Sequence, residues 1–115
     1  MRRLRYGLYL WQQWRHARPK RRKDPTFRVA PAIAVIRAAC PWLRPGSLVL
    51  DLGPRHDKEV ALLEQEGWRV HALDLFPTST RIRRGDMHHL PYPDSAFDLV
   101  FASHVFEHAY DFAQV

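Results

Sequence analysis

The stretch Ser47-Leu-Val-Leu-Asp51, which is followed by Gly53, decides the fold of this chain. Its apolar residues follow one another without alternation, which is typical of a short parallel strand that is covered on both faces. Arg69–Asp74 has the same character and predicts a second strand. Between the two strands, Asp57 can cap a helix that runs to Glu66. A strand, a helix and a second strand in this order predict a right-handed crossover and a parallel sheet.

The pattern continues on both sides of this unit. A helix is predicted from Pro31, because proline suits a first helical turn, and Pro41 ends it. Arg81–Arg84 predicts a weak third strand that is polar enough to form an edge of the sheet. Phe97–Ser103 predicts a strongly apolar fourth strand, which leads into a helix at about His104. The fold class is therefore α/β.

The composition further limits the number of domains and the class of protein. The 115 residues allow one globular domain, and 46% apolar with 26% charged residues exclude a disordered chain. The formal charge of +6 is unevenly placed: residues 1–30 hold ten Lys/Arg against Asp24 alone, whereas the rest of the chain has eight basic and eleven acidic residues. We divide the chain into a basic, aromatic arm, residues 1–25, and a domain, residues 26–115. The single cysteine, Cys40, cannot form an internal disulfide and predicts a cytoplasmic protein.

The arm has two interpretations. On a helix, Leu4, Leu8 and Trp11 would share one face with arginines around it. Such a basic amphipathic segment can contact the phosphates of RNA or an anionic membrane surface. For a cytoplasmic protein, that surface would be the inner face of the membrane. The alternative is a short helix whose apolar residues dock on the domain.

Three acids stand where predicted strands end. Asp51 closes the first strand, Asp74 closes the second one 23 residues later, and Asp86 follows the third. Ligands of such sheets bind outside the carboxyl ends of the strands. In nucleotide-binding sheets, an acid about 20 residues after the first strand's turn accepts hydrogen bonds from ribose hydroxyls, and Asp74 lies near that spacing. Any one of these acids is more often a turn or cap residue, but together they predict a nucleoside ligand.

The turn after the first strand narrows the choice of ligand. A pyrophosphate needs several glycines and bare amides, but the segment Gly53–Glu59 has one glycine and places Asp57 and Glu59 where phosphate would lie. Arg55 and Lys58 offset that charge in part. S-adenosylmethionine has no phosphate and carries a sulfonium and an ammonium group. An acid-rich site suits it better.

The chain resembles the class I S-adenosylmethionine-dependent methyltransferases, and within them the methyltransferase type 11 group. The resemblance rests on Leu48-Val-Leu-Asp51-Leu-Gly53, Val70-His-Ala-Leu-Asp74, Gly85-Asp86-Met-His-His-Leu90-Pro-Tyr-Pro-Asp94-Ser-Ala-Phe97-Asp98-Leu-Val and Ser103-His-Val-Phe-Glu107-His108. It implies a Rossmann-like parallel sheet with helices on both faces. It also implies methyl transfer from S-adenosylmethionine to an acceptor that the sequence does not identify.

The resemblance further implies a role for each matching residue. Asp51 and Gly53 would lie by the methionine portion, and Asp74 would hold the ribose hydroxyls. The remaining assignments are Asp86 for the adenine amino group, Leu75 packed on the adenine, the Met87 amide at its edge, and Ser103 with His104 bordering the substrate entrance. Because the family usually has further glycines in the first turn, we expect Arg55 to pair with the cofactor carboxylate instead.

Length is the larger departure from the family. Its members have seven strands, so the chain is expected to be truncated after strand four and to expose an apolar edge there. That edge would favour self-association. The alternative function is a non-catalytic remnant or binding module of the same fold.

Histidines near the end of the chain suggest two further roles. His104 and His108 are candidates for a general base, although cap or packing roles also fit. With Glu107 they spell H-x-x-E-H, but too few residues follow to supply a third zinc ligand, so no metal is predicted. His88 and His89 are expected in a solvated loop.

Overall fold

A computed structural model describes residues 8–12, 24–54 and 56–103. Residues 8–12 are helical. The elements that follow are α1 (Thr26–Ala39), β1 (Leu48–Leu52), α2 (Asp57–Glu64), β2 (Arg69–Asp74), β3 (Arg83–Arg84) and β4 (Leu99–Ala102). Within these three ranges, no helix has the length and apolar character needed to cross a membrane.

The four strands form one parallel sheet in the order β3-β2-β1-β4. This confirms the α/β fold and the Rossmann-like parallel sheet, and it places β3 at an edge as predicted. β3 is shorter than the predicted strand, because only Arg83 and Arg84 pair with β2. Since all strands run the same way, β1, β2 and β3 end at one edge of the sheet. We call this edge the carboxyl rim; it comprises residues 51–53, 74–76 and 85–86.

The first helix begins earlier than predicted. It starts at Thr26 and carries Pro31 in its interior, so the prediction of a start at Pro31 was wrong. The Asp24 carboxylate accepts hydrogen bonds from Thr26 N (2.9 Å) and Thr26 Oγ1 (2.6 Å), which anchors the first turn. Lys58 Nζ of α2 lies 2.5 Å from Asp24 Oδ2, and this contact holds the pKa of Asp24 well below its usual range. These end contacts explain why the helix extends past the proline.

The second helix differs from its prediction at both ends. His56, not Asp57, is its N-cap: the His56 ring accepts a hydrogen bond at Nδ1 from Lys58 N (3.0 Å). The helix ends at Glu64, two residues before the predicted end, and Gly67 follows with φ +88°. That left-handed conformation suits glycine, which turns the chain toward β2.

Clusters of apolar side chains cover both faces of the sheet. The face that carries both helices, here called the helix face, buries Val29, Ile33, Val49, Leu63, Trp68 and Phe101. The opposite face, here called the open face, buries Leu50, Leu52, Leu73 and Met87, with Tyr92 and Phe97 from the following loop packed against them. Since α1 and α2 both lie on the helix face, helices on the open face stay a prediction.

Candidate functional site at the carboxyl rim

The backbone brings the three predicted acids to one edge. Gly53 N donates to Leu73 O (2.7 Å), which ties the end of β1 to β2. Gly85 N donates to Asp74 O (2.9 Å), so the residue before Asp86 is fixed to the end of β2. The prediction that these strand ends share a rim is confirmed. Their side chains, however, have different surroundings.

Asp51 points into the protein on the helix face. It is fully buried, and α2 places the equally buried Glu59 beside it. Neither oxygen of Asp51, nor Oε1 of Glu59, accepts a hydrogen bond from a donor among the described residues. The remaining oxygen of Glu59, Oε2, lies 3.2 Å from Arg28 of α1. Among the described residues, Arg28 is therefore the one cation that pairs with either of these two buried carboxyl groups, and it contacts Glu59.

One proton held by the two carboxyl groups would remove the repulsion between two buried negative charges. Burial raises the pKa of Asp51 well above its usual range, and the neighbouring charge of Glu59 raises the pKa further. Burial also raises the pKa of Glu59, while the contacts with Asp51 and Arg28 oppose that rise. These directions favour Asp51 as the member that keeps the proton and Glu59 as the anion that faces Arg28. The end of β1 is therefore held by a carboxyl–carboxylate pair, which we call the acid pair.

Asp74 ends β2 in a different setting. Its Oδ1 accepts a hydrogen bond from Phe76 N (2.8 Å), which closes a tight turn over Leu75. The side chain is largely buried, and its charge is close enough to raise the pKa of both members of the acid pair. Asp74 therefore adds negative charge to the rim and shapes the loop after β2.

Asp86 makes an equivalent turn after β3. Its Oδ1 accepts from His88 N (2.9 Å) and lies 2.5 Å from His88 Nδ1. The ring of Tyr9 meets His88 edge-on, with centroids 6.1 Å apart. His88 is consequently buried, and the expectation that it lies in a solvated loop was wrong; His89 beside it is exposed. The carboxylate two residues before His88 supplies the polar partner that permits burial.

Two glycines serve the rim for different reasons. Gly53 has φ +68°, a left-handed conformation that few other residues adopt. Gly85 lies against β2: a Cβ there would be 2.5 Å from Leu73 Cδ1. A side chain would strain the backbone at Gly53, and at Gly85 it would displace the buried side chain of Leu73.

The other predicted site residues lie as follows. Leu75 is half-buried, Met87 is buried in the open-face cluster, and Ser103 is half-buried just after β4. Arg55, His104 and His108 lie outside the described residues, as does the arm apart from residues 8–12 and 24–25. Within the described ranges, no three His, Cys, Asp or Glu side chains are grouped so that they could hold a metal ion.

Sequence reasoning missed Glu59 and Arg28 as members of this site. A signal was present for Glu59, because it precedes the inward-facing Leu63 by four residues and so shares its helix face. A carboxylate on that face had to meet a partner. Arg28 precedes the predicted start of the first helix and offered no such signal.

Comparison with known families agrees with this geometry. A profile of the methyltransferase domain family matches residues 50–115, more than half of the chain. A comparison with curated proteins and one with solved structures returned no significant match. The matched segment contains the end of β1, the turn after β2 and the loop with Asp86, which are the three parts of the rim. The chain belongs to the methyltransferase domain family.

Proposed function

We propose that the chain binds S-adenosylmethionine at the carboxyl rim and transfers its methyl group to an acceptor still to be identified. One observation carries the proposal: parallel strands deliver Asp51, Asp74 and Asp86 to the same edge, within the segment that matches the methyltransferase domain family. Ligands of open parallel sheets bind at this edge.

The chemistry of the rim fits this cofactor. S-adenosylmethionine brings a methyl group on a positively charged sulfur, together with a ribose diol and an adenine. Asp74 and Asp86 supply acceptor oxygens on neighbouring loops. Such a surface favours a cationic ligand with hydroxyl and amino donors and disfavours a pyrophosphate.

Each residue then has a distinct task. Asp74 would accept the ribose hydroxyls, Leu75 would pack on the adenine, and Asp86 would accept from the adenine amino group. Gly53, which lacks a side chain, lets the ligand approach the backbone at the end of β1. The acid pair lies beneath this turn and supports it from the helix face. Alignment of donor and acceptor is the main contribution that these residues make to transfer.

A titration of the full chain with S-adenosylmethionine tests the proposal. Asp74→Asn keeps an oxygen that can accept from Phe76 N but removes the charge and one acceptor. We expect affinity to fall about tenfold or more, because a hydrogen bond to a charged group contributes roughly 1.5–3 kcal/mol. Asp94→Asn, which removes an exposed carboxylate from a loop, is the matched control and should bind as the wild type does.

Two results would contradict the proposal. One is a folded wild-type chain, shown by a cooperative thermal transition, that gives no saturable heat of binding. The other is Asp74→Asn with wild-type affinity, which would leave Asp74 as a turn residue only.

A further inference from the structure

A pocket lies along the outer edge of β2, away from the carboxyl rim. β3 pairs only with Leu73 and Asp74, so the preceding residues of β2, Val70–Ala72, have no strand beside them on that side among the described residues. A pocket of about 520 Å³ occupies this space. Its walls carry His71, Thr80, Arg81, Arg83 and Tyr92. A pocket of this size accommodates a small organic ligand.

Aromatic rings form one wall of this pocket, which we call the β2-edge pocket. The guanidinium of Arg83 lies over the ring of Tyr92, 5.9 Å from its centroid. Tyr92 meets His71 edge-on at 6.0 Å and Phe97 edge-on at 5.0 Å. Because Phe97 packs on the open-face core, this set of rings is anchored from below. Anchored rings offer a planar ligand a preformed stacking surface.

Positive charge accompanies the rings. Arg81 is neutralised by an ion pair with Glu64, but neither Arg83 nor Arg69 forms an ion pair with a carboxylate of the described residues. Side chains alternate across a strand, so Arg69 and His71 share the open face with Leu73, the register partner of Arg83. Arg83, which forms no ion pair with a carboxylate in the described part of the chain, thus lies directly on the rings, and Arg69 adds positive charge to the same face of β2.

We infer that the β2-edge pocket binds a nucleotide unit, with its base against the Tyr92 and His71 rings and its phosphate on Arg83. A planar base and an anionic group must occur in one ligand to use both features of the pocket. An acidic peptide would use the arginines and leave the rings unoccupied, and an apolar molecule would leave the arginines desolvated without a partner. Stacking on aromatic side chains beside arginines is the usual way in which proteins hold unpaired bases. The site uses different residues from the rim and does not depend on the proposed function.

The test measures binding of a fluorescent ten-residue oligouridylate and of uridine monophosphate to the full chain. Uridine probes are chosen because they lack the adenine that the carboxyl rim is proposed to hold, and Asp74→Asn reports whether their ribose binds there. We expect Arg83→Gln to weaken binding of the oligouridylate about fivefold and to reduce the slope of log affinity against log salt by about one. Arg44→Gln removes one exposed charge from the turn before β1, outside the pocket lining, and is the matched control, since the arm with its many basic residues attracts phosphates in both variants.

The ring is tested separately. Tyr92→Leu keeps much of the packing volume but removes the stacking face, and binding should fall about tenfold. Tyr92→Phe should restore it. Thermal transitions of all variants show whether each one remains folded, and Arg83→Gln, at an exposed position, reports on the pocket if Tyr92→Leu does not fold.

The two uridine probes distinguish between a free nucleotide and a single strand as the source of the nucleotide. Saturable binding of uridine monophosphate that depends on Arg83 supports a free nucleotide as ligand; binding of the oligouridylate alone supports a single strand. The inference is overturned if Arg83→Gln and Arg44→Gln weaken binding equally, because the arm would then account for it. It is also overturned if Arg83 affects adsorption to anionic lipid vesicles but not binding of either uridine probe. Asp74→Asn should bind oligouridylate as the wild type does, so failure of the proposed function would not obscure the result.

Discussion

The ends of β1 and β2 carry the same residue type at equivalent places and use it differently. Asp51 and Asp74 both close apolar strands and face the same side of the sheet. Yet Asp51 is fully buried in the acid pair, whereas Asp74 closes a loop turn by accepting from Phe76 N. A strand-end aspartate is thus assigned its role by the segment that follows it.

The segments differ in what they bring to the carboxylate. After β1 the chain enters α2 within five residues, and the third residue of that helix is Glu59. The helix thereby places a second acid over Asp51. After β2 the chain forms a loop before β3, and the backbone amide of Phe76 meets Asp74 instead. This contrast predicts that the end of β1 governs stability and that the end of β2 governs ligand binding.

Removal of the cation at the acid pair should have the largest effect on stability. Arg28→Met leaves Glu59 as a buried anion without its partner. Loss of one member of a buried pair costs about 3–5 kcal/mol, and because the Arg28 side chain is 44% exposed we expect about 2 kcal/mol in urea denaturation at pH 7. Arg81→Met breaks an exposed pair with Glu64 and should cost less than about 1 kcal/mol. Equal losses in the two variants would show that the acid pair does not need Arg28.

The contrast between the two strand ends also shows which features of the fold and of the site could be predicted from the sequence. The apolar strand at Leu48–Leu52 and the crossover to β2 follow from hydrophobic pattern alone, and the three acids follow from strand ends. The acid pair does not, because it depends on how α2 packs over β1, which is a tertiary contact. The start of α1 was wrong for a similar reason: the proline signal is local, but Asp24 anchors the helix five residues earlier.

The pH dependence of stability should reveal the shared proton. The folded pKa of Asp51 is raised above that of the unfolded chain, so its stabilising effect is complete below about pH 4 and is lost as the pH rises through the folded value. Asp51→Asn donates to Glu59 at every pH. We therefore expect its free energy of unfolding to be within about 1 kcal/mol of the wild-type value at pH 4.5. Toward pH 8 the variant should become steadily more stable relative to the wild type.

Urea denaturation across this pH range measures the difference. Asp94→Asn, at an exposed loop position, should keep the wild-type slope of unfolding free energy against pH. A slope for Asp51→Asn identical to that of the wild type would mean that Asp51 releases its proton in the folded protein without cost.

The smallest expected effect lies in the turn that joins β1 to α2. Its helix is capped by the His56 ring, which accepts from Lys58 N only while Nδ1 carries no proton. His56→Ala should therefore cost about 0.5–1 kcal/mol, and His56→Ser, which offers a hydroxyl acceptor, should recover most of it. Asp57→Ala is the matched comparison, because Asp57 was the cap that the sequence predicted; its carboxylate favours the helix dipole and lies 3.4 Å from His56 Nδ1, but it does not cap the helix. If Asp57→Ala costs more than His56→Ala in thermal unfolding at pH 8, the ring does not cap the helix, and the turn depends on charge rather than on a hydrogen bond from Lys58.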